Sequence, residues 1–349
     1  MQLEPRLHTP LWMTLGAPII AVLFVLVLCG GLISWAGAPL FESYIALFKG
    51  AFGSKFAIAE TLVRATPLML TGLAAAVAFR AKLWNIGGEG QLYMGALAAT
   101  YFGTGLVTLP APLMIPFLFF VGALAGGFLL LVPTLLKTRL NVDEVVTTLL
   151  LNFIVLLLAN YLLFGPWKDP MAMGWPQGAP IIDEGILPNL VAKTRLHGGL
   201  IFAVIASVCV WIVMTKTKWG LEIRAVGLNP EAARFGGIPI NKTILRTALI
   251  SGGLAACAGV TEVAGTKEYL TLDISPGFGY TGIAVAMLAG LNPLGVIVAA
   301  LFIAGIYNGA DSMSRAMDVS NYIADVITAA SLLMVMLAVM LTRMRIRFS

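Results

Sequence analysis

Charge is scarce in this chain. Only 11% of its 349 residues are Asp, Glu, Lys or Arg, against roughly 25% in soluble globular domains, and no water-soluble core of this length needs 59% hydrophobic residues. Cysteine and histidine are scarcer still. Cys29, Cys209 and Cys257 each stand alone inside an apolar run, and His8 and His197 flank such runs without zinc spacing; the cysteines therefore read as small packing residues, not as a disulfide framework or a metal site. The chain has no Gly-x-x-x-x-Gly-Lys-Ser/Thr stretch, so it cannot hold ATP through a P-loop. No Ser/His/Asp or Cys/His constellation emerges and the carboxylates match no protease or metal motif, which makes a membrane enzyme the weaker class. The first apolar run, Leu11 to Trp35, is too long for the h-region of a cleavable signal peptide.

What the chain has in quantity is apolar sequence along its whole length, with mean hydropathy +0.93. This is the pattern of an all-α polytopic membrane protein. Crossings are expected near 11–35, 61–79, 91–108, 111–134, 145–164, 198–216, 244–263, 277–290, 294–309 and 320–342, the eighth and ninth being short for a core of ~30 Å. A single crossing over 280–308 is the competitor, and charge separates the two. With ten crossings and both termini cytoplasmic, 14 basic residues, from Arg6 to Arg347, lie inside and 7 lie outside, with Arg64 within a span. Nine crossings would move Arg343, Arg345 and Arg347 outside and erase much of that bias. The formal net charge of +5 accordingly reports basic cytoplasmic loops and lipid headgroups, with no call for nucleic acid. Short crossings joined by Asn292-Pro293 need shelter from other helices, which hints at a discontinuous functional element.

Three connections stand out. Outside, residues 41–52 place Phe41, Tyr44, Ile45, Phe48 and Phe52 at helical spacing, an interfacial amphipathic helix. The external loop 165–197 carries five prolines with Trp167 and Trp175, and its apolar content suits an ordered platform. Between two spans lies Asn85-Ile86-Gly87-Gly88-Glu89-Gly90-Gln91, irregular polar sequence that must sit at the water boundary or line a protected cavity. It is either a cytoplasmic turn opening a helix or part of a transport path. If it is a path, Asn85, Glu89 and Gln91 are candidate wall residues, and the in-span amides Asn152 and Asn308 join them as groups that bond a polar solute or merely link helices. Glu60 and Arg64, four apart, suit a structural ion pair, and Asp143 and Glu144 suit the dipole at a helix start.

The cytoplasmic loop 217–243 contains a short helix in outline. Asn229 can cap, Pro230 suits the first turn, Glu231 complements the dipole, and Gly236 or Gly237 ends it. Two turns of helix are not stable alone in water. Ala232, Ala233, Arg234 and Phe235 form a compact knob that would dock in a partner's groove or pack beneath its own membrane domain.

Several of these stretches occur in matching order in one known family: Asn85 to Gln91, Asn141-Val142-Asp143-Glu144-Val145-Val146-Thr147-Thr148, the loop from Arg224 to Ile238, Gly279-Tyr280-Thr281-Gly282-Ile283-Ala284-Val285-Ala286, and Asn292-Pro293-Leu294-Gly295. Over roughly residues 58–342 the chain resembles permease subunits of ABC importers in the branched-chain amino acid, ribose and nucleoside permease family, and is most similar to the nucleoside (basic membrane protein type) branch. The resemblance implies a type II importer-like fold in a bacterial inner membrane, with no cofactor on this chain and ATP-Mg on a separate ATPase. It implies a second permease subunit, identical or homologous, and an external substrate-binding lipoprotein as partners. It also implies that Gly227 and Asn229 to Gly236 couple ATP hydrolysis to transport. The cargo expected is a nucleoside. A ribose-type sugar permease is the alternative, and an ion-coupled secondary transporter is a further one that would need a midplane ionisable relay.

Overall fold

The computed structural model describes residues 2–5 and 11–347; Arg6 and His8, named above, lie outside them. The chain is all-α through its membrane domain. Among the described residues seven helices are long and apolar enough to span a bilayer, with shorter apolar helices at Ile19–Trp35 and Phe278–Leu288. The chain packs as two compact units, residues 1–61 with 301–349, and residues 62–300.

The first unit holds α1 (Leu11–Trp35), α2 (Leu40–Phe52), the start of α3 (Lys55–Arg80), the end of α12 (Pro293–Met317) and α13 (Asn321–Arg343). Val25, Cys29, Ile33, Met313 and Ile327 form its buried centre. The α2 helix exposes Phe41, Ile45, Phe48 and Phe52 and is tied inward by the Tyr44 hydroxyl, which donates to the Leu26 carbonyl at 2.5 Å. A two-stranded antiparallel ribbon closes the unit: β1 (Gln2–Pro5) pairs with β2 (Met344–Arg347). The segments 2–5 and 344–347 are therefore neighbours.

The second unit holds the rest of α3, then α4 (Gly88–Gly103), α5 (Ala111–Leu140), α6 (Glu144–Phe164), α7 (Gly199–Lys216), α8 (Lys218–Leu228), α9 (Pro230–Phe235), α10 (Ile240–Thr261), α11 (Phe278–Leu288) and the start of α12. A π-turn over Glu262–Lys267 continues α10. The most apolar window of α3 is 89% buried, against 33%, 22% and 33% for α5, α6 and α7. Helix α3 is thus an inner element, and the other three turn broad apolar faces outward, as lipid-facing helices do. Helices α4, α5 and α10 pack closely against one another. Their backbones meet where side chains are absent: a Cβ at Gly126 would lie 2.5 Å from the Gly252 carbonyl, the close approach that small-xxx-small faces permit.

Several element bounds depart from expectation. Helix α4 ends at Gly103, short of residue 108, because Gly105 takes φ +99° and turns the chain. Helix α11 has 11 residues, about 16 Å at 1.5 Å per residue, but α12 has 25 and is not short. The polar run that begins at Asn308 does not stop α12, because it is bonded inside the first unit. Asn308 Nδ2 donates to Gly50 O (2.9 Å), Ala57 O (3.2 Å) and Thr61 Oγ1 (3.1 Å), and Ser314 Oγ donates to Val319 O (2.7 Å). The prolines of loop 165–197 do not leave it loose. Its backbone N–H groups donate to carbonyls of other segments, Gly178 to Leu270 (2.9 Å), Ile181 to Glu268 (2.8 Å), Ile182 to Gly103 (2.9 Å) and Leu187 to Ala264 (2.8 Å).

Candidate functional site

The polar heptapeptide opens α4, and its side chains are drawn into one buried network. Asn85 and Gln91 exchange a reciprocal amide pair, Nδ2 to Oε1 at 2.9 Å and Nε2 to Oδ1 at 2.8 Å. Asn85 Nδ2 also donates to Ser251 Oγ of α10 (3.1 Å), which in turn donates to the Ala74 carbonyl of α3 (2.8 Å). From α6, Asn152 Oδ1 accepts the Gly90 N–H at 2.8 Å, while its Nδ2 donates to the Ile86 carbonyl and the Tyr280 hydroxyl, each at 3.1 Å. Glu89 Oε2 accepts the Gly279 N–H at 2.7 Å and so fixes the entry to α11. Unpaired polar groups in a membrane interior cost several kcal/mol, and here they cancel one another across α3, α4, α6, α10 and α11.

Four of the five residues expected along a solute path therefore come together, and Asn308 does not join them. Asn85, Glu89, Gln91 and Asn152 are 0–3% exposed, and the amides have their donors and acceptors engaged by protein. Together they form a hydrogen-bonded frame around the start of α4. Tyr280, Ser251 and Gly279 complete the frame; Gly279 and Tyr280 lie in a stretch that carries the family resemblance, but nothing in the sequence pairs any of the three with α4. Close approach is built in: a Cβ at Gly90 would sit 2.7 Å from Asn152 Oδ1, and one at Gly279 would strike the Glu89 backbone nitrogen.

A second polar cluster closes the same end. Asp143 caps α6, accepting from the Val145 N–H at 2.7 Å. Glu144 pairs with Lys137 of α5 and accepts from the Trp84 N–H at 3.2 Å, while Lys137 also donates to the Lys82 carbonyl at 3.2 Å. Thr71 of α3 donates to its own Pro67 carbonyl (2.9 Å) and to the Phe278 carbonyl (3.0 Å), and a Cβ at Gly282 would meet that hydroxyl at 2.5 Å. The Thr71-Gly72 and Thr281-Gly282 pairs, alike in sequence, thus lie where α3 and α11 touch.

The short helix of the 217–243 loop is α9. Asn229 Oδ1 accepts from the Glu231 N–H (3.0 Å) and the Ala232 N–H (3.1 Å), with Pro230 at the first position. At the other end Gly236 is the cap and Gly237 takes φ +77°. The Ile238 N–H reaches the Ala233 carbonyl and the Gly237 N–H the Arg234 carbonyl, both at 3.0 Å, the Schellman pattern that satisfies terminal carbonyls. Ala233 is 5% exposed and faces its own unit, so it is not part of an outward knob, whereas Phe235 is 98% exposed and Leu228 81%. Helix α8, which leads into α9, is tied to α10 by Glu222, 3.8 Å from Arg246, and by that guanidinium lying 5.2 Å over the Trp219 ring. Gly227 rests directly on the Arg80 carbonyl at the end of α3, and Arg80 Nε donates to Leu291 O in the α11–α12 turn at 3.2 Å. Among the described residues no group of three His, Cys, Asp or Glu could hold a metal ion.

A bundle of membrane-length helices with a buried polar frame, a broken helix pair and a capped helix outside the bundle is the architecture of a polytopic membrane protein. Residues 57–341 match the family model described as branched-chain amino acid transport system, permease component, and the chain belongs to that family. It is a permease subunit of an ABC importer. It is 36% identical to a guanosine ABC transporter permease protein of Bacillus subtilis, covering 91% of this chain and 92% of that one. It is 34% identical to a nucleoside ABC transporter permease protein of Lactococcus lactis, covering 90% and 88%. It is also 35% identical to a glucose ABC transporter permease protein of Haloferax volcanii, covering 99% and 93%. The nucleoside branch of the family is thus supported, and family membership sets the ion-coupled alternative aside.

Proposed function

We propose that this chain forms half of the translocation path of an importer for a nucleoside, driven by ATP hydrolysis on a separate ATPase chain. The observation that carries the coupling reading is α9. It is a fully capped two-turn helix whose Phe235 is 98% exposed, and so short a helix gains most of its stability from a docking surface. Gly227, Asn229, Pro230, Glu231, Ala232, Arg234, Phe235 and Gly236 present or shape that surface, and Ala233 seats it. A movement imposed on α9 passes through Gly227 to Arg80 and from Arg80 to the turn before α12. In this reading α9 and both termini face the cytoplasm of a bacterial inner membrane, a second permease subunit supplies the other half of the path, and an external lipoprotein delivers cargo. Asn85, Glu89, Gln91 and Asn152 act as the frame beside the path.

The nucleoside assignment follows the guanosine and nucleoside relatives. A sugar is the second reading, favoured by the glucose relative. The test is uptake in vesicles carrying the co-purified complex, with labelled guanosine, adenosine, ribose and glucose. Nucleoside uptake that requires ATP and competes with other nucleosides supports the proposal; uptake of glucose alone overturns the substrate. Co-purification without crosslinker that yields no ATPase chain overturns the coupling reading.

A further inference from the structure

At the C-terminal end of α4, where loop 165–197 folds over it, a cavity of about 390 Å³ is lined by residues that include Thr100, Tyr101, Thr104, Trp167, Lys168 and Asp169. That volume lies within the ~300–1,000 Å³ of small-molecule sites. The Tyr101 and Trp167 rings stack, 5.8 Å between centroids and 23° between planes, and Tyr101 is 48% exposed. Both rings line the cavity and form an aromatic wall there, with an ammonium and a carboxylate on the two residues that follow. The wall is held in place before any ligand arrives. The Trp167 N–H donates to Leu162 O (2.8 Å), the Lys168 N–H to Gly165 O (3.3 Å) and the Asp169 N–H to Gln177 O (2.9 Å). Helix α4 runs from the buried polar frame at one end to this cavity at the other.

The geometry points to a binding subsite for a planar nitrogen heterocycle, a nucleobase with its ribose, at the mouth opposite α9. The base stacks on the Tyr101–Trp167 wall, and its polar edge reaches Lys168 and Asp169. This rests on the nucleoside reading and adds the place where the cargo is first held by the permease itself. A stacked wall supports a flat ring on its face, and base–aromatic stacking contributes enough that removing one ring weakens binding roughly tenfold.

The experiment uses the full-length permease in nanodiscs, titrated with guanosine and with glucose, reading binding by equilibrium dialysis and intrinsic tryptophan fluorescence. Guanosine should bind and quench. Trp167→Ala should weaken binding roughly tenfold, Trp167→Phe should retain binding yet lose most of the quenching, and Thr104→Trp should block binding by filling the cavity. Unchanged binding in both Trp167→Ala and Thr104→Trp, or undiminished quenching in Trp167→Phe, overturns the subsite, as does equal binding of glucose. Uptake by the complex separates the two readings. If the wild type imports nucleosides and these variants do so with unchanged KM, the subsite fails while the function stands. If the wild type imports only glucose, the function fails, and the subsite with it.

Discussion

Gly227 near the end of α8, the helix that leads to α9, lies against the carbonyl of Arg80 at the last turn of α3, closer than any side chain would allow. Arg80 in turn holds Leu291, a residue at φ +60° in the turn between α11 and α12. An exposed helix, an inner helix and a broken helix pair are thereby in mechanical series.

That series should break at its tightest contact. Gly227→Val must displace α8 from Arg80, because the carbonyl occupies the place of the added carbon. In reconstituted vesicles the variant should insert and retain ATPase binding, yet lose at least tenfold in uptake, with hydrolysis no longer responding to substrate. Phe235→Ser should act one step earlier, weakening ATPase retention on a column. Normal uptake in Gly227→Val would remove the contact from the coupling route.

The polar frame should show itself as stability. Asn152→Ala deletes one acceptor and two donor bonds and leaves the Gly90 N–H buried without a partner, a loss of about 2–3 kcal/mol. Gly90→Val forces a side chain into Asn152 and should cost at least as much. Thermal unfolding of the detergent-solubilised protein, followed by size exclusion, measures both. A Tm within 1–2 °C of wild type, where ~1 kcal/mol moves a protein by roughly 2–4 °C, would show that the frame is not carrying the fold.

His197 gives a pH prediction. Burial pulls its imidazole down to about 4. Its Nδ1 accepts the Gly199 N–H at 3.2 Å, and its Nε2 faces Thr266 Oγ1 at 3.3 Å. The neutral ring is therefore the form that fits. Above the unfolded pKa of about 6.5 both states are neutral and the group imposes no penalty. As pH falls from there toward 4 the unfolded chain takes up a proton that the fold excludes, and stability drops by on the order of 3 kcal/mol. Denaturation curves at pH 7 and pH 4.5 should differ more for wild type than for His197→Gln; equal differences would refute the assignment.

Sidedness is open to labelling. In a background with Cys29, Cys209 and Cys257 replaced, a cysteine at Arg234 should react with an impermeant maleimide only from the cytoplasm, and one at Lys168 only from outside. Reaction of both from the same side would overturn the proposed orientation.

Helix positions were legible because apolar runs, caps and glycines are local signals. Asn229, Pro230 and the Gly236-Gly237 stop announce α9 within nine residues. What lay beyond the sequence was partnership. Nothing near Asn85 says that Ser251 will meet it, and nothing near Glu89 says that Gly279 will. An isolated amide in a span reads equally as a solute ligand or a staple until its partners are known, and Asn152 and Asn308 each bond to carbonyls and hydroxyls of neighbouring segments in their own unit. Ala233 misled for a related reason: a two-turn helix has both an inner and an outer face, and six residues are too few to show by periodicity which is which. The length of α12 was hidden by polar residues that end a span only when they lack bonding partners.

The frame around α4 also has an order of birth. Helix α4 is not among the helices apolar enough to cross a membrane by length and composition, and 12 of its 16 residues are buried. The Gly279 N–H that satisfies Glu89 is made 190 residues later, on the order of 10–40 s at ordinary rates of synthesis. Through that interval the reciprocal Asn85–Gln91 pair, six residues apart, is the part of the network that can already exist. Neither amide need then stand bare while the partners on α6, α10 and α11 are still being translated.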